Sequence, residues 1–439
     1  MTSSSDQIVI VGGGFSGAMA AARLAERGVT STLIDAGGDF GLGVAYSTPF
    51  DGHLLNVRSN RMSAIEGRPD DFVDWLGRNH PDHADPEGFA PRRLYGLYVQ
   101  DRLRAVEASH PGWITRVQGR AGAIEGTTVV LDDGRRVSGR AIMLATGNPA
   151  PRTASADSRR IIADPWAPGA LDGIRGDDRV AIIGTGLTMV DMAVWLQARG
   201  WRGPLFALSR RGLGPRAHHD HPEAPLPVSP QLADGPASAR LSAARRLAKQ
   251  GQWRALMEGL RPVTSDLWRA ADAATRARLV RHLRPFWDVH RHRIAPAIAA
   301  EIQTLTDAGR LTVVAGRVVS LAPTGDGVTL TFRPKGATVT QMAEADWLID
   351  CTGPGHDPAR DPLTGPLIAA GRARLDPLGL GLDLDEAGRA LRSDGTPDPT
   401  LMVLGPPARA TFWETVAVPD IRKRIEVLTG TLAEQGVFA

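Results

Sequence analysis

The chain has 439 residues, a formal net charge of +3, 42% hydrophobic residues and 23% charged residues. This is the balance of a globular protein of two or three domains; it excludes general disorder, and the basic residues, nearly all arginine, form no dense run that would engage nucleic acid. The single cysteine, Cys351, excludes an internal disulfide and a CxxC redox pair. No apolar run reaches the ~20 residues that span a bilayer, and the opening MTSSSDQ carries no charged-then-apolar leader, so a cytoplasmic protein without a membrane partner is expected.

Ile8–Val11 reads as a buried parallel strand, followed by Gly12-Gly13-Gly14-Phe15-Ser16-Gly17 and a helix over 18–26. A second apolar run, 31–34, ends at Asp35-Ala36. Strand, G-x-G-x-x-G turn, helix and a following acid form the dinucleotide-binding βαβ fingerprint. Gly12 permits the tight turn, Gly14 lets the backbone approach a pyrophosphate, and Gly17 lets helix and strand pack closely. The helix N-terminus offers free N–H groups and partial positive charge to phosphate, and Asp35 can accept from a ribose hydroxyl.

Gly37–Gly43 is too glycine-rich for a regular element. It leads into Val44-Ala45-Tyr46-Ser47-Thr48 and then 53–63, which contains His53, Asn56, Val57, Met62 and Ser63. Such loops often hold cofactors, although a plain surface excursion would read the same way. Helices are expected over 70–78 and 92–109, and short strands over 113–117, 121–124 (beginning at Ala121), 127–131 and 140–145. The last of these ends in Ala145-Thr146-Gly147, a second mark of flavin-type Rossmann domains, where Gly147 lets the backbone pass close to a pyrophosphate.

The Pro- and Gly-rich stretch 149–178 reads as a linker. A second nucleotide fold follows: a strand over 179–183, the turn Gly184-Thr185-Gly186-Leu187-Thr188-Met189, a helix to Arg199, and a strand over 204–208. Met189 replaces the third glycine, so helix and strand should pack less closely here. Arg210 and Arg211 stand where an NAD-specific fold would carry an acid, which favours the 2′-phosphate of NADPH over NADH; solvated surface arginines are the alternative. His218, His219 and His221 read as a polar surface loop rather than a metal site, for lack of ligand spacing.

Residues 226–308 read as a helical insertion, with Thr264 as a helix cap. Within it, the basic and aromatic 286–293 suits either an anion site or an interdomain salt-bridge patch. Strands follow over 311–319, 328–333 and 346–350, the last ending in Cys351-Thr352-Gly353-Pro354-Gly355 as an echo of 145–147 and marking a return to the first domain. A last strand over 401–404 ends at Gly405-Pro406, and Thr411-Phe412-Trp413-Glu414-Thr415 leads into a terminal helix over 418–435.

The fold class expected is α/β: two Rossmann-like dinucleotide-binding domains with a helical insertion. The first domain occupies 1–165 and 346–439, and the second 166–345 with the insertion at 226–308. This organisation resembles the two-dinucleotide-binding-domain flavoproteins, among them flavin-containing and N-hydroxylating monooxygenases. GFSG, GVAYST, HLLNV, RMSA, IIGTGLTMVD, LSRRGLGPRAH, CTGPG and FWETVAVPDIR resemble more closely a bacterial FAD/NAD(P)-binding family.

The resemblance implies FAD at Gly12, Gly14, Phe15, Ser16, Gly17, Asp35, Ala36, Ala121, Thr146, Gly147 and Gly405. It implies a flavin lined by Val44, Ala45, Tyr46, His53, Asn56, Val57, Met62 and Ser63 and closed by Trp413 and Thr415. NADPH is expected at Gly184, Gly186, Thr188, Arg210 and Arg211. Asn56 and His53 are the candidate catalytic residues, Asn56 because an uncharged amide can both donate and accept. The expected reaction is NADPH-driven hydroxylation of a small substrate by molecular oxygen; a flavin reductase without oxygen insertion and a non-catalytic flavin-binding partner are the alternatives.

Overall fold

In the computed structural model, residues 6–148, 158–353 and 358–437 are described, so Pro149 at the start of the expected linker and Pro354-Gly355 of the CTGPG run lie outside the described residues. Along the chain, β1 (Ile8–Val11), β2 (Ser31–Asp35) and β3 (Ile114–Gln118) precede a meander of β4 (Ala121–Glu125), β5 (Thr128–Leu131) and β6 (Arg136–Ser138), and then β7 (Ala141–Leu144). Next come β8 (Ile161–Ile162), β9 (Val180–Ile183), β10 (Leu205–Ser209), β11 (Leu311–Pro323), β12 (Val328–Pro334), β13 (Gln341–Ala345) and β14 (Trp347–Asp350). The chain closes with β15 (Arg389–Leu391), β16 (Pro397–Val403) and the helix Val418–Val437.

The first sheet has the order β15-β16-β7-β1-β2-β3, and the second β13-β12-β11-β10-β9-β14-β8. β1 lies between β2 and β7, parallel to both, with Ile8 opposite Ser31 on one side and Ala141 on the other. Strand periodicity explains the apolar run in β1. Ile8 and Ile10 enter a core with the helices Phe15–Glu26, Arg92–Ser109 and Val418–Val437, while Val9 and Val11 enter another with the meander and residues 363–412. β9 repeats the scheme. Val180 and Ile182 face the helices Leu187–Ala198 and Pro296–Asp307, and Ala181 faces Leu330 and Phe332 of β12.

The second sheet takes in β8 and β14, so it spans 161–350 rather than 166–345. β14 is therefore not the return to the first sheet; it stands beside β9 as β7 stands beside β1. That return is made by β15 and β16. Thr264 begins a helix but does not cap it; its hydroxyl bonds back to the Leu260 carbonyl (2.8 Å), whereas Asp272 caps the next helix through Thr275 N–H (2.7 Å).

A lock joins the two nucleotide folds. Arg92 makes a bidentate pair with Asp191 (2.8 and 3.0 Å), on the first helix of the second fold, and His53 bonds the Asp191 carbonyl (3.1 Å). Among the described residues, no helix is long and apolar enough to cross a membrane.

A Cβ on Gly17 would lie 1.9 Å from the Gly12 carbonyl oxygen, whereas one on Gly186 would meet no atom within 4 Å. Gly17→Ala is expected to cost about 1–3 kcal/mol through overpacking. Gly186→Ala meets no such clash and should cost less, about 0.5–1 kcal/mol from the poorer N-cap alone. Chemical denaturation of the two variants compares them directly.

Candidate active site

The first turn is shaped by backbone contacts. Gly12 N–H donates to the Ile34 carbonyl (2.9 Å), and its φ of 108° is a conformation that favours glycine. A Cβ there would lie 2.3 Å from the Ala145 carbonyl oxygen. The helix Phe15–Glu26 starts from Gly14 with no side-chain cap and no acid in its first turn, so its free N–H groups remain available to an anion. Asp35 accepts from Gly13 N–H (2.8 Å) through one oxygen and from Gly37 and Gly38 N–H (2.9 and 3.1 Å) through the other. These bonds fix the carboxylate at the turn and use three of about four lone-pair positions, leaving one for a hydroxyl.

The surrounding residues are small and closely set. Gly43 backs onto Gly14, where a Cβ would sit 3.3 Å from its Cα. Gly405 lies over Ser16, 2.8 Å from its Oγ by the same measure. Gly147, at φ 73°, faces open space beside exposed Thr146. Ala121 follows Gly119, whose N–H donates to the Asp35 carbonyl (2.9 Å), so it sits at the same end of the sheet. Ala36, Val44 and Ala45 are exposed, the last two on the one-turn helix Gly43–Tyr46. An uncapped helix start, a fixed acid and a small-residue surround suit the pyrophosphate and ribose of FAD.

Several expected cofactor contacts are placed otherwise. His53 is only 1% exposed, with Nδ1 on the Thr48 hydroxyl (2.7 Å), Nε2 on the Asp191 carbonyl, and its ring edge-on to Phe50, Trp166 and Trp195. With both nitrogens hydrogen-bonded, it holds the interdomain lock. Met62 and the Phe15 ring are packed in the first core, leaving Phe15 only its backbone to offer. The Ser63 hydroxyl is buried and bonded to Ile65, and the Tyr46 ring lies against Tyr95 (4.7 Å). Trp413, 7% exposed, lies against Trp268 of the insertion at 4.4 Å with Arg409 over its ring, so it faces the insertion. Thr415 is buried beside it, its hydroxyl without a hydrogen-bond partner.

The second turn reproduces the first. Gly184 N–H donates to the Leu208 carbonyl (2.8 Å), its φ is 106°, and a Cβ would lie 2.2 Å from the Cys351 carbonyl oxygen. The helix Leu187–Ala198 again begins without a cap or an acid. Its first hydrogen bond, Val190 N–H to Gly186, is 3.3 Å against 2.9 Å at Ala18. Gly186 is exposed with open space beside it, and Thr188 is half-buried in the first turn. Arg210 is exposed and has no hydrogen-bond or ion-pair partner among the described residues. Arg211 instead covers the Phe286 ring (5.2 Å) and reaches the Arg281 carbonyl (3.4 Å), so it is committed to the insertion.

Asn56 and Val57 line a cavity of about 380 Å³ between the 56–61 loop, the 218–225 loop and the insertion. Six arginines line it: Arg58, Arg61, Arg254, Arg261, Arg291 and Arg293. Burial works to raise the Glu258 pKa, but Arg61 and Arg293 outweigh it and hold the carboxylate at about 2. Burial, assisted by Arg293, presses His218 down to about 3, so it is neutral; its Nε2 contacts the Asn56 carbonyl (3.1 Å). His218 thus belongs to an interdomain contact and not to a surface loop. In the 286–293 cluster, Trp287 donates to Glu414 (2.9 Å) and Arg291 pairs with Glu414 (3.2 Å), so the salt-bridge reading holds there, while Arg291 and Arg293 also face the cavity. Arg58 and Arg61 were visible in the loop sequence; that the insertion closes on them was not.

Fold and site together define a chain with two dinucleotide-binding folds. Residues 9–149 match the family described as FAD-NAD(P)-binding. No curated protein matches the chain in sequence. Among solved structures, ornithine N-hydroxylase from Kutzneria sp. 744, in a complex described as reduced FAD, NADP+ and L-ornithine, is similar at a TM-score of 0.68 and 16% identity, covering 98% of this chain and 99% of that one. L-lysine 6-monooxygenase from Pseudomonas syringae gives 0.67 and 16% over 98% and 100%. Thioredoxin reductase from Lactococcus lactis gives 0.56 and 10% over 99% and 100%.

Losing a hydrogen bond to a charged group costs about 1.5–3 kcal/mol, so Arg210→Ala should raise the Kd for NADPH roughly 10- to 100-fold and leave that for NADH almost unchanged. Equal losses measured by fluorescence titration would overturn the assignment. Because the folded-state pKa of His218 lies below its ordinary 6.5, the unfolded chain binds the proton better. Its stabilising effect is complete above about pH 6.5 and declines as the pH falls toward 3. The unfolding temperature should therefore drop between pH 7 and 5, and His218→Gln should flatten that drop.

Proposed function

We propose that the chain is an FAD-dependent oxidoreductase reduced by NADPH, and that it acts as a monooxygenase on a small substrate. The observation that carries this reading is the duplicated turn: Gly12 against the Ala145 carbonyl and Gly184 against the Cys351 carbonyl, each opening onto an uncapped helix. A binding partner that held only flavin would have no use for the second.

When bound, FAD supplies the redox chemistry, taking hydride from a nicotinamide and passing electrons to oxygen. The residues supply position and charge. Gly14 and the N–H groups behind it receive the pyrophosphate, and Asp35 takes the ribose. Gly186 and the start of the helix Leu187–Ala198 do the same for the pyridine nucleotide, and Arg210 takes its 2′-phosphate. The Arg92–Asp191 pair and His53 hold the two folds in register, the preorganisation hydride transfer needs. Asn56 lines the cavity, and its amide would orient the substrate by donating or accepting without a proton of its own to lose.

The overall likeness to hydroxylases of ornithine and lysine supports the oxygen-using branch. The likeness to a thioredoxin reductase favours a reductase, but Cys351 is buried and is the only cysteine, so a dithiol relay has no residues to run on. The test is to load the protein with FAD and follow NADPH oxidation with oxygen or a quinone as acceptor. The monooxygenase reading predicts slow, substrate-stimulated consumption of NADPH and oxygen together. Fast quinone reduction without substrate stimulation would establish the reductase instead.

A further inference from the structure

The arginine-lined cavity carries an inference that rests on the monooxygenase reading and narrows its substrate. Six arginines line the cavity, and its acidic lining residues are Glu87, Glu223 and Glu258. Each of these is already engaged. Glu258 is shared by Arg61 and Arg293. Glu87 accepts from Asn60 (2.8 Å) and faces Arg58 (3.6 Å). Glu223 pairs with His219 (2.8 Å) and accepts from Ala255 N–H (3.2 Å).

Five of the arginines are held as well, Arg293 by Glu258. Arg58 donates to the carbonyls of Glu87 and His219, and Arg254 to that of Ala217 (3.2 Å). Arg291 pairs behind the cavity with Glu414 (3.2 Å) and Asp420 (3.8 Å), and Arg61 with Glu258. Arg261 differs. It has no hydrogen-bond or ion-pair partner among the described residues; its Nη2 is buried without an acceptor, as are nitrogens of Arg291 and Arg293, but those two arginines face carboxylates. Burial, and then the neighbouring Arg291, press its pKa downward, with Asp420 and Glu258 opposing from a distance. A half-buried guanidinium without a partner, in a cavity whose carboxylates each already face a basic side chain, is complementary to an incoming oxyanion.

We propose that Arg261 receives a carboxylate of the substrate, so that the cavity selects small carboxylate-bearing molecules and rejects diamines. A diamine would bring two positive charges among six guanidiniums and would have to draw Glu258 away from two of them. Asn56 and Val57 line the same cavity as Arg261. The 2′-phosphate of NADPH offers the same oxyanion chemistry, so the test must separate the two.

The FAD-loaded protein is titrated with malonate, glutarate, cadaverine and adenosine 2′,5′-bisphosphate at constant ionic strength set with sodium chloride, following the unfolding temperature and the flavin absorbance. The expected result is a saturable rise of a few degrees with a dicarboxylate and none with cadaverine. Arg261→Gln should weaken the dicarboxylate effect at least tenfold, Arg261→Lys should retain part of it, and Arg210→Ala should leave it in place. The wild-type comparison of dicarboxylate against diamine holds even if the Arg261 variants do not fold. Stabilisation by cadaverine equal to that by dicarboxylates would overturn the proposal, as would a dicarboxylate effect unchanged in Arg261→Gln. So would loss of the bisphosphate effect in Arg261→Gln with retention in Arg210→Ala, which would give Arg261 to the cofactor. Bleaching of the wild-type flavin by NADPH, measured separately, tests the functional reading and is independent of these outcomes.

Discussion

Two backbone carbonyls, those of Ala145 and Cys351, set the geometry on which the rest of the molecule depends. Each stands against a glycine that turns a central strand into a helix, with room for no side chain between them. The constraint is steric and local, and it has a long-range consequence: a strand from later in the chain, β7 or β14, must lie directly beside β1 or β9. Once that neighbour is fixed, the helix start points away from the sheet with its N–H groups unpaired, and the two ends of each fold meet at one place. The pair of turns is thus a single structural solution used twice.

What joins the two copies is electrostatic and aromatic. Asp191 lies in the first helix of the second fold, yet Arg92 and His53, both from the first fold, hold it. His53 is deeply buried among Phe50, Trp166 and Trp195, where burial lowers its pKa below the ordinary value. The insertion is fastened separately, through Trp268 to the Ala410 carbonyl (2.8 Å) and through Arg291 and Trp287 to Glu414. An open cavity lies between them, with the loop of Asn56 on one wall and the arginines of the insertion on the other.

Much of this was legible in the sequence because it is written locally. The glycine spacing, Asp35 at the end of β2 and the arginine pair after β10 are each read within a few dozen residues, and the strands and helices of both folds follow from periodicity. Assignments that required knowing which surfaces meet fared less well. His53 was read as a flavin-lining, catalytic candidate because one of its partners, Asp191, lies in another fold. Trp413 looked like a flavin neighbour because Trp268, its stacking partner, is far away in the chain. β14 was assigned to the wrong sheet because a strand's apolar pattern does not name its neighbour. The cationic cavity has the same origin: Arg58 and Arg61 in one loop and Arg254, Arg261, Arg291 and Arg293 in another region carry no mark of their proximity.

The central claim is that the two turns bring a pyridine nucleotide and a flavin together in one working pair. Its most direct test is an oxygen-free absorbance titration of the FAD-loaded protein with NADPH. Stoichiometric bleaching of the yellow flavin, faster with NADPH than with NADH, is the predicted result. A flavin that binds tightly but stays yellow under excess NADPH would contradict the account, because the second turn would then serve some purpose other than delivering hydride.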